Sequence, residues 1–99
     1  MKIYISGQIT GLELEEAKVL FEEAEILLLE RGYIPINPMK LNPHTDGKTW
    51  KEYMLDDLDA LFDCEAIYLL DNWQESKGAR IEYQIAKEMD MVILTDKIL

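Results

Sequence analysis

Two carboxylates on two predicted helices are the side chains of this sequence best placed to do chemistry. In SKGARIEYQIAKEMD, Ser76 to Asp90, the residues Ile81, Ile85, Ala86 and Met89 share one helical stripe. Glu82 falls about 35° from its centre at roughly 100° per residue. A carboxylate facing a core is costly unless it is paired or lines a cavity. In WKEYMLDDLDALFD, Trp50 to Asp63, the apolar stripe is Trp50, Met54, Leu58 and Leu61. Asp57 lies only about 55° from it, whereas Asp56, Asp59 and Asp63 point about 145° to 175° away. Two carboxylates flanking a sugar break glycosidic bonds, one as nucleophile and one as acid or base. Plainer alternatives stand beside this: a salt bridge from Glu82 to Lys77 or Arg80, and a hydrogen bond from Asp57 to a loop.

The surrounding pattern predicts the elements that must hold them. MKIYIS has the alternation of a strand and ends at Gly7; GQITG follows as a loop. From Glu13 to Arg31 the apolar positions Leu14, Ala17, Leu20, Phe21, Ala24, Leu27 and Leu28 recur at three and four, predicting a helix closed by Gly32. Tyr33 to Pro38 reads as a second strand, placed at an edge by Pro35 and Pro38. Met39 to Lys48 reads as a loop or pair of turns, and Thr49 to Asp63 as a helix. AIYLLDNW, Ala66 to Trp73, is a buried parallel strand, followed by the 76–89 helix and the strand MVILT.

The alternation β-α-β-α-β-α-β implies an α/β fold: a three-layer sandwich with a four-stranded parallel sheet, flavodoxin-like or Rossmann-like, in strand order 2-1-3-4. A single domain over residues 1–99 is expected. Ligands of such sheets bind beyond the carboxyl ends of the strands. Those ends are the GQITG loop, the Asn37 to Gly47 loop and DNWQESKG. SGQITG can bring bare backbone amides to a phosphate, though a tight β-to-α turn explains it as well, since it is neither a Walker A nor a GxGxxG sequence. Ser76 is a natural helix N-cap. His44 falls in a turn-rich loop and is expected at the surface. Trp50, Tyr53, Tyr68, Trp73 and Tyr83 are expected to pack, with Trp73 able to stack on a base. No cysteine or histidine cluster has metal-ligand spacing, so neither a metal nor another cofactor is expected.

The formal net charge of -10 argues against nucleic acid and anionic membranes as partners. It leaves room for a small anion at a helix N-terminus. No apolar run approaches a membrane span, and the lone Cys64 fits a reducing compartment, so a soluble, unprocessed cytoplasmic protein is expected. A domain of this size with four strands buries little core alone, which makes a homodimer the expected assembly.

MKIYISGQITG, the pair Asn37–Pro38 and WKEYMLDDLDALFDCEAIYLLDNWQESKGARIEYQIA together resemble the small, often phage-encoded branch of the nucleoside 2-deoxyribosyltransferase-like superfamily. The most specific element is Ser76, Gly78 and Glu82 in the arrangement S-x-G-x-x-x-E. The resemblance implies that Glu82 is the nucleophile attacking the anomeric carbon of a 2-deoxyribosyl group, with Asp57 as the partner aspartate. It also implies substrate contacts from Ser6, Gly7, Ile9, Thr10, Gly11, Ser76 and Gly78. Enzymes of the superfamily acting on free nucleosides carry aspartate six positions before the glutamate, and the 5'-phosphate N-hydrolases carry serine; Ser76 therefore leans towards a deoxynucleoside 5'-monophosphate. Glu82 must be ionised to attack, and its place early in a helix is expected to favour the anion. Two other classes stay open: a nucleotide-binding or sensing module without turnover, and an interaction protein docking through its acidic helix.

Overall fold

The computed structural model describes every residue from Met1 to Leu99. Strands β1 (Lys2–Ser6), β2 (Ile34–Ile36), β3 (Ala66–Leu69) and β4 (Val92–Leu94) form one sheet in the order β2-β1-β3-β4. All three pairings are parallel, with Ile3 opposite both Pro35 and Ala66, and Ile67 opposite Ile93. The helices are α1 (Leu14–Glu30), α2 (Pro38–Leu41), α3 (Trp50–Phe62) and α4 (Lys77–Glu88), with 3-10 turns at Trp73–Glu75 and Asp96–Ile98. The chain is an α/β three-layer sandwich of the flavodoxin-like or Rossmann-like kind.

Alternation along β1 divides the core between the two faces of the sheet. Ile3 and Ile5 point to α1 and pack with Phe21, Ala24 and Leu28. Tyr4 points the other way, where Leu61 of α3 and Ala86 of α4 join Ile67 and Leu69. The central strands are thus buried on both faces, as a parallel sheet requires.

Several boundaries differ from the sequence reading for local reasons. The second strand is three residues long because Asn37 caps a helix, its side chain accepting from the Met39 amide at 3.0 Å, and Pro38 occupies the first helical position. Met39 to Lys48, expected as loop throughout, therefore opens with most of α2. The strand expected over Ala66–Trp73 stops at Leu69, and its apolar tail turns into the 3-10 segment. Along α4 the buried seam is Ala79, Glu82 and Ala86, while Met89 is exposed. Glu82 lies on the centre of the buried face rather than beside it. No helix is long and apolar enough to cross a membrane.

Candidate active site

Tyr4 and Ser6 stand two residues apart on β1 and so share the face turned to α4. Their hydroxyls donate to the two oxygens of Glu82: Tyr4 Oη to Oε2 at 2.8 Å and Ser6 Oγ to Oε1 at 2.7 Å. All three side chains are buried, Glu82 to 5% residual exposure. The salt bridges weighed for Glu82 do not form. Arg80 donates to the Gln74 carbonyl at 2.7 Å, and Lys77 lies 5.0 Å above the Trp50 ring. An acid held by neutral hydroxyls in a core needs no counterion only where its charge is partly suppressed.

Burial pushes the Glu82 carboxyl up to about 7, against the Ser6 and Tyr4 hydrogen bonds, and Asp57 adds repulsion. Burial also raises Asp57 to about 6, opposed first by its hydrogen bond from Asn42. The Tyr4 phenol is driven well above its ordinary value by burial and by the Glu82 charge, so it remains a donor. The dipole expected to favour the Glu82 anion is outweighed: the residue sits in the second turn of α4, beyond the reach of the terminal effect, in a desolvated seam.

Glu82 and Asp57 both line a cavity of about 680 Å³ beyond the carboxyl ends of β1, β2 and β3. Close packing shapes its floor. At Gly7 an added Cβ would lie 2.5 Å from Leu70 Cδ1, and at Gly78 3.0 Å from Met54 Sδ. Only glycine lets the loop after β1 approach Leu70 so near, whereas at Gly78 the flexible Met54 side chain can give way. Ser76 caps α4, its Oγ accepting from the Ala79 amide at 3.1 Å. The cap occupies a lone pair and leaves the hydroxyl hydrogen free to donate.

Of the residues singled out from the sequence, Glu82, Asp57, Gly7, Ile9, Thr10, Ser76 and Gly78 line the cavity. Ser6 does not reach it; its hydroxyl is engaged beneath Glu82. Gly11 also lies outside the lining and instead makes a turn at φ +96°. Asp57 accepts from Asn42 Nδ2 at 2.9 Å, which is the loop contact weighed for it. Trp73, considered for base stacking, packs on Tyr83 with ring centroids 4.6 Å apart and is absent from the cavity wall. Trp50, at 44% exposure, occupies the wall instead. His44 is exposed at the rim.

Tyr4, Asn42 and Phe21 are among the further wall residues that had not been singled out for the site. Tyr4 had a visible signal: two hydroxyl residues, Tyr4 and Ser6, alternate with Ile3 and Ile5 and so share one face of the strand. Asn42 had none, because its role depends on how the loop after β2 folds onto α3. No three histidine, cysteine, aspartate or glutamate side chains converge in a metal-binding group.

The architecture is similar to that of a solved enzyme. A solved 2-deoxyribosyltransferase from the psychrotolerant bacterium Bacillus psychrosaccharolyticus superposes with a TM-score of 0.72, covering 96% of this chain and 71% of that one at 16% sequence identity. At that identity the likeness establishes the fold alone. The chain belongs to the family described as "Domain of unknown function (DUF4406)", which it matches over residues 1–95. No curated protein matches the sequence.

Proposed function

We propose that the protein cleaves or transfers the N-glycosidic bond of a 2'-deoxynucleoside, with a 5'-monophosphate favoured as substrate, and that residues 1–99 act as a single domain. The observation that carries this reading is the buried Glu82 carboxyl, gripped at both oxygens by Tyr4 and Ser6 and bordering the same cavity as Asp57. The shared fold of a 2-deoxyribosyltransferase supports it. In the first step a Glu82 oxygen attacks C1' and the C1'–N bond breaks, its electron pair leaving with the base. Asp57, protonated, supplies the proton that the base takes up. In the second step water, or a second base in a transferase, attacks C1' and releases Glu82, while Asp57 recovers a proton.

The phosphate rests against the loop Gly7, Ile9 and Thr10 and against the Ser76 hydroxyl at the start of α4, where backbone amides and the helix dipole favour an anion. Lys18 and Lys40 also line the cavity, ion-paired with Glu15 at 3.3 Å and Glu25 at 2.8 Å. A homodimer is the assembly this reading adopts, and light scattering reporting a monomer would count against it.

The test is chromatographic measurement of free base released from each deoxynucleoside 5'-monophosphate. Release by the wild type and none by Glu82→Gln supports the reading. Thermal stabilisation by a deoxynucleotide with no product over long incubation replaces it with a nucleotide-binding module.

A further inference from the structure

Asp57 is not free in its cavity. Asn42, at the end of α2, directs its side-chain amide at α3: Nδ2 donates to Asp57 Oδ1 at 2.9 Å and to the Tyr53 carbonyl at 3.1 Å. Both amide hydrogens are thus committed. The amide oxygen accepts from Lys48 Nζ at 2.5 Å, and the same ammonium reaches Asp56 Oδ2 at 2.6 Å. A lysine ammonium has donors and no acceptor. Turning the amide over would set NH2 against a cation and oxygen against a carboxyl and a carbonyl. Lys48 therefore fixes which way Asn42 faces.

We infer that Asn42 is a positioning residue for Asp57: by donating to Oδ1 it leaves Oδ2 as the oxygen that carries the acid proton. The inference deepens the proposed glycosidic reaction and rests on the reading of Asp57 as its acid. As the C1'–N bond breaks, the proton on Oδ2 passes to the departing base nitrogen, which keeps the bonding electron pair. The resulting carboxylate remains held at Oδ1 by Asn42 and takes back a proton at Oδ2 from the water that attacks C1'. Asn42 also tunes how readily the proton is given up. Its hydrogen bond favours the carboxylate, as does Lys48, while burial and the Asp56 charge oppose both. The other titratable side chains on the cavity wall are Glu82, Tyr4, Tyr53, Lys18, Lys40 and His44.

A second cavity of about 430 Å³ lies behind the pair, and Asn42 and Asp57 line both. The Asn42–Asp57 hydrogen bond forms part of the boundary between them. Asp57 is thereby held by the residue that closes α2, not by one of its own helix.

The deciding experiment titrates the Asp57 carboxyl carbon by NMR in protein labelled with carbon-13 aspartate, its resonance assigned with Asp57→Asn. Wild type is compared with Asn42→Ala and Asn42→Ser, and base release is measured on the same preparations. Loss of the donor is expected to raise the Asp57 midpoint by about one unit. It is also expected to lower kcat about tenfold with little change in KM, the effect of one hydrogen bond to a charged group. An unmoved midpoint in a folded variant overturns the inference whatever the activity; Asn42→Ser decides should Asn42→Ala fail to fold. A raised midpoint with no base release from wild type leaves Asn42 as the residue that holds Asp57 and removes the glycosidic reading.

Discussion

Tyr4 Oη lies 2.8 Å from Glu82 Oε2, a contact across 78 positions of sequence that joins the first strand to the last helix. Ser6 completes the grip from the same strand. Because both donors belong to a central strand buried on two faces, the carboxyl group is oriented by the sheet itself rather than by a loop. A nucleophile needs such fixation to meet a sugar carbon along one line, and rigid elements supply it better than loops do.

Replacing Tyr4 by phenylalanine removes one of the two donors that favour the ionised form of Glu82. A hydrogen bond to a charged group contributes about 1.5 to 3 kcal/mol, so the Glu82 midpoint should rise by roughly one to two units. Base release at neutral pH is expected to fall by about ten- to a hundredfold, and raising the pH should not restore it, because Asp57 then loses its acid proton. A pH–rate profile of Tyr4→Phe superimposable on that of the wild type would show that the phenol does not tune the carboxylate.

Glu82 also makes a prediction about stability. Its carboxyl is raised from 4.5 to about 7 in the folded protein, so between those values the folded state holds a proton that the unfolded state has lost. Stability should therefore decline as pH climbs from about 4.5 to 7 and level off above, a change on the order of 3 kcal/mol from this residue. Glu82→Gln has no ionisation to suppress. Chemical denaturation should find it more stable than the wild type above neutral pH and similar near pH 5, together with loss of base release. Parallel curves for the two proteins would contradict a desolvated acid at this position.

The reaction as proposed needs Glu82 ionised and Asp57 protonated, yet burial holds Glu82 at about 7 and Asp57 at about 6. Activity should follow a narrow bell with limbs near these values, peaking at about 6.5, and the two apparent midpoints belong to the pair. A broad plateau extending well into alkaline pH would mean that Asp57 does not act as the acid.

Periodicity made the layers and the strand order legible, because a parallel sheet buried on both faces imposes apolar runs and each helix turns one stripe inward. It also isolated Asp57 from its three acidic neighbours and set Glu82 against the core. What periodicity could not supply was contact across the chain. The Tyr4–Glu82 bond depends on β1 lying under α4, and the Asn42–Asp57 bond depends on α2, whose Asn-Pro start signal was masked by reading Pro38 as the end of a strand. Trp50 and Trp73 exchanged expected places for a similar reason. Trp73 stands in a 3-10 turn against Tyr83, while Trp50, at the start of α3, borders the cavity.

Gly7 tests the packing that shapes the cavity floor. An alanine Cβ there would fall 2.5 Å from Leu70 Cδ1 and 2.9 Å from both Leu70 Cβ and Cγ. The last two atoms are close to the backbone and cannot swing aside as a chain end could. Gly7→Ala should cost about 1 to 3 kcal/mol by overpacking, read as a lower denaturation midpoint at unchanged slope. Gly78→Ala meets only the flexible Met54 Sδ, at 3.0 Å, and should be milder. The reverse order would show that the floor yields at Leu70.

Ser76→Asp separates phosphate recognition from helix integrity. Aspartate caps helices as well as serine does, so the hydrogen bond to the Ala79 amide is expected to persist and the fold with it. What changes is the charge at the proposed phosphate position: a hydroxyl able to donate becomes a carboxylate that repels. Two like charges about 4 Å apart near a protein surface oppose each other by a few kcal/mol, enough to raise KM for a 5'-monophosphate by roughly a hundredfold. A deoxynucleoside without the phosphate lacks that repulsion and should be processed as well as before or better, so the variant's preference between the two substrates shifts or reverses. Steady-state kinetics on the matched pair of substrates measures the ratio directly. Equal losses on both would mean that Ser76 only closes the helix and that the phosphate is bound elsewhere.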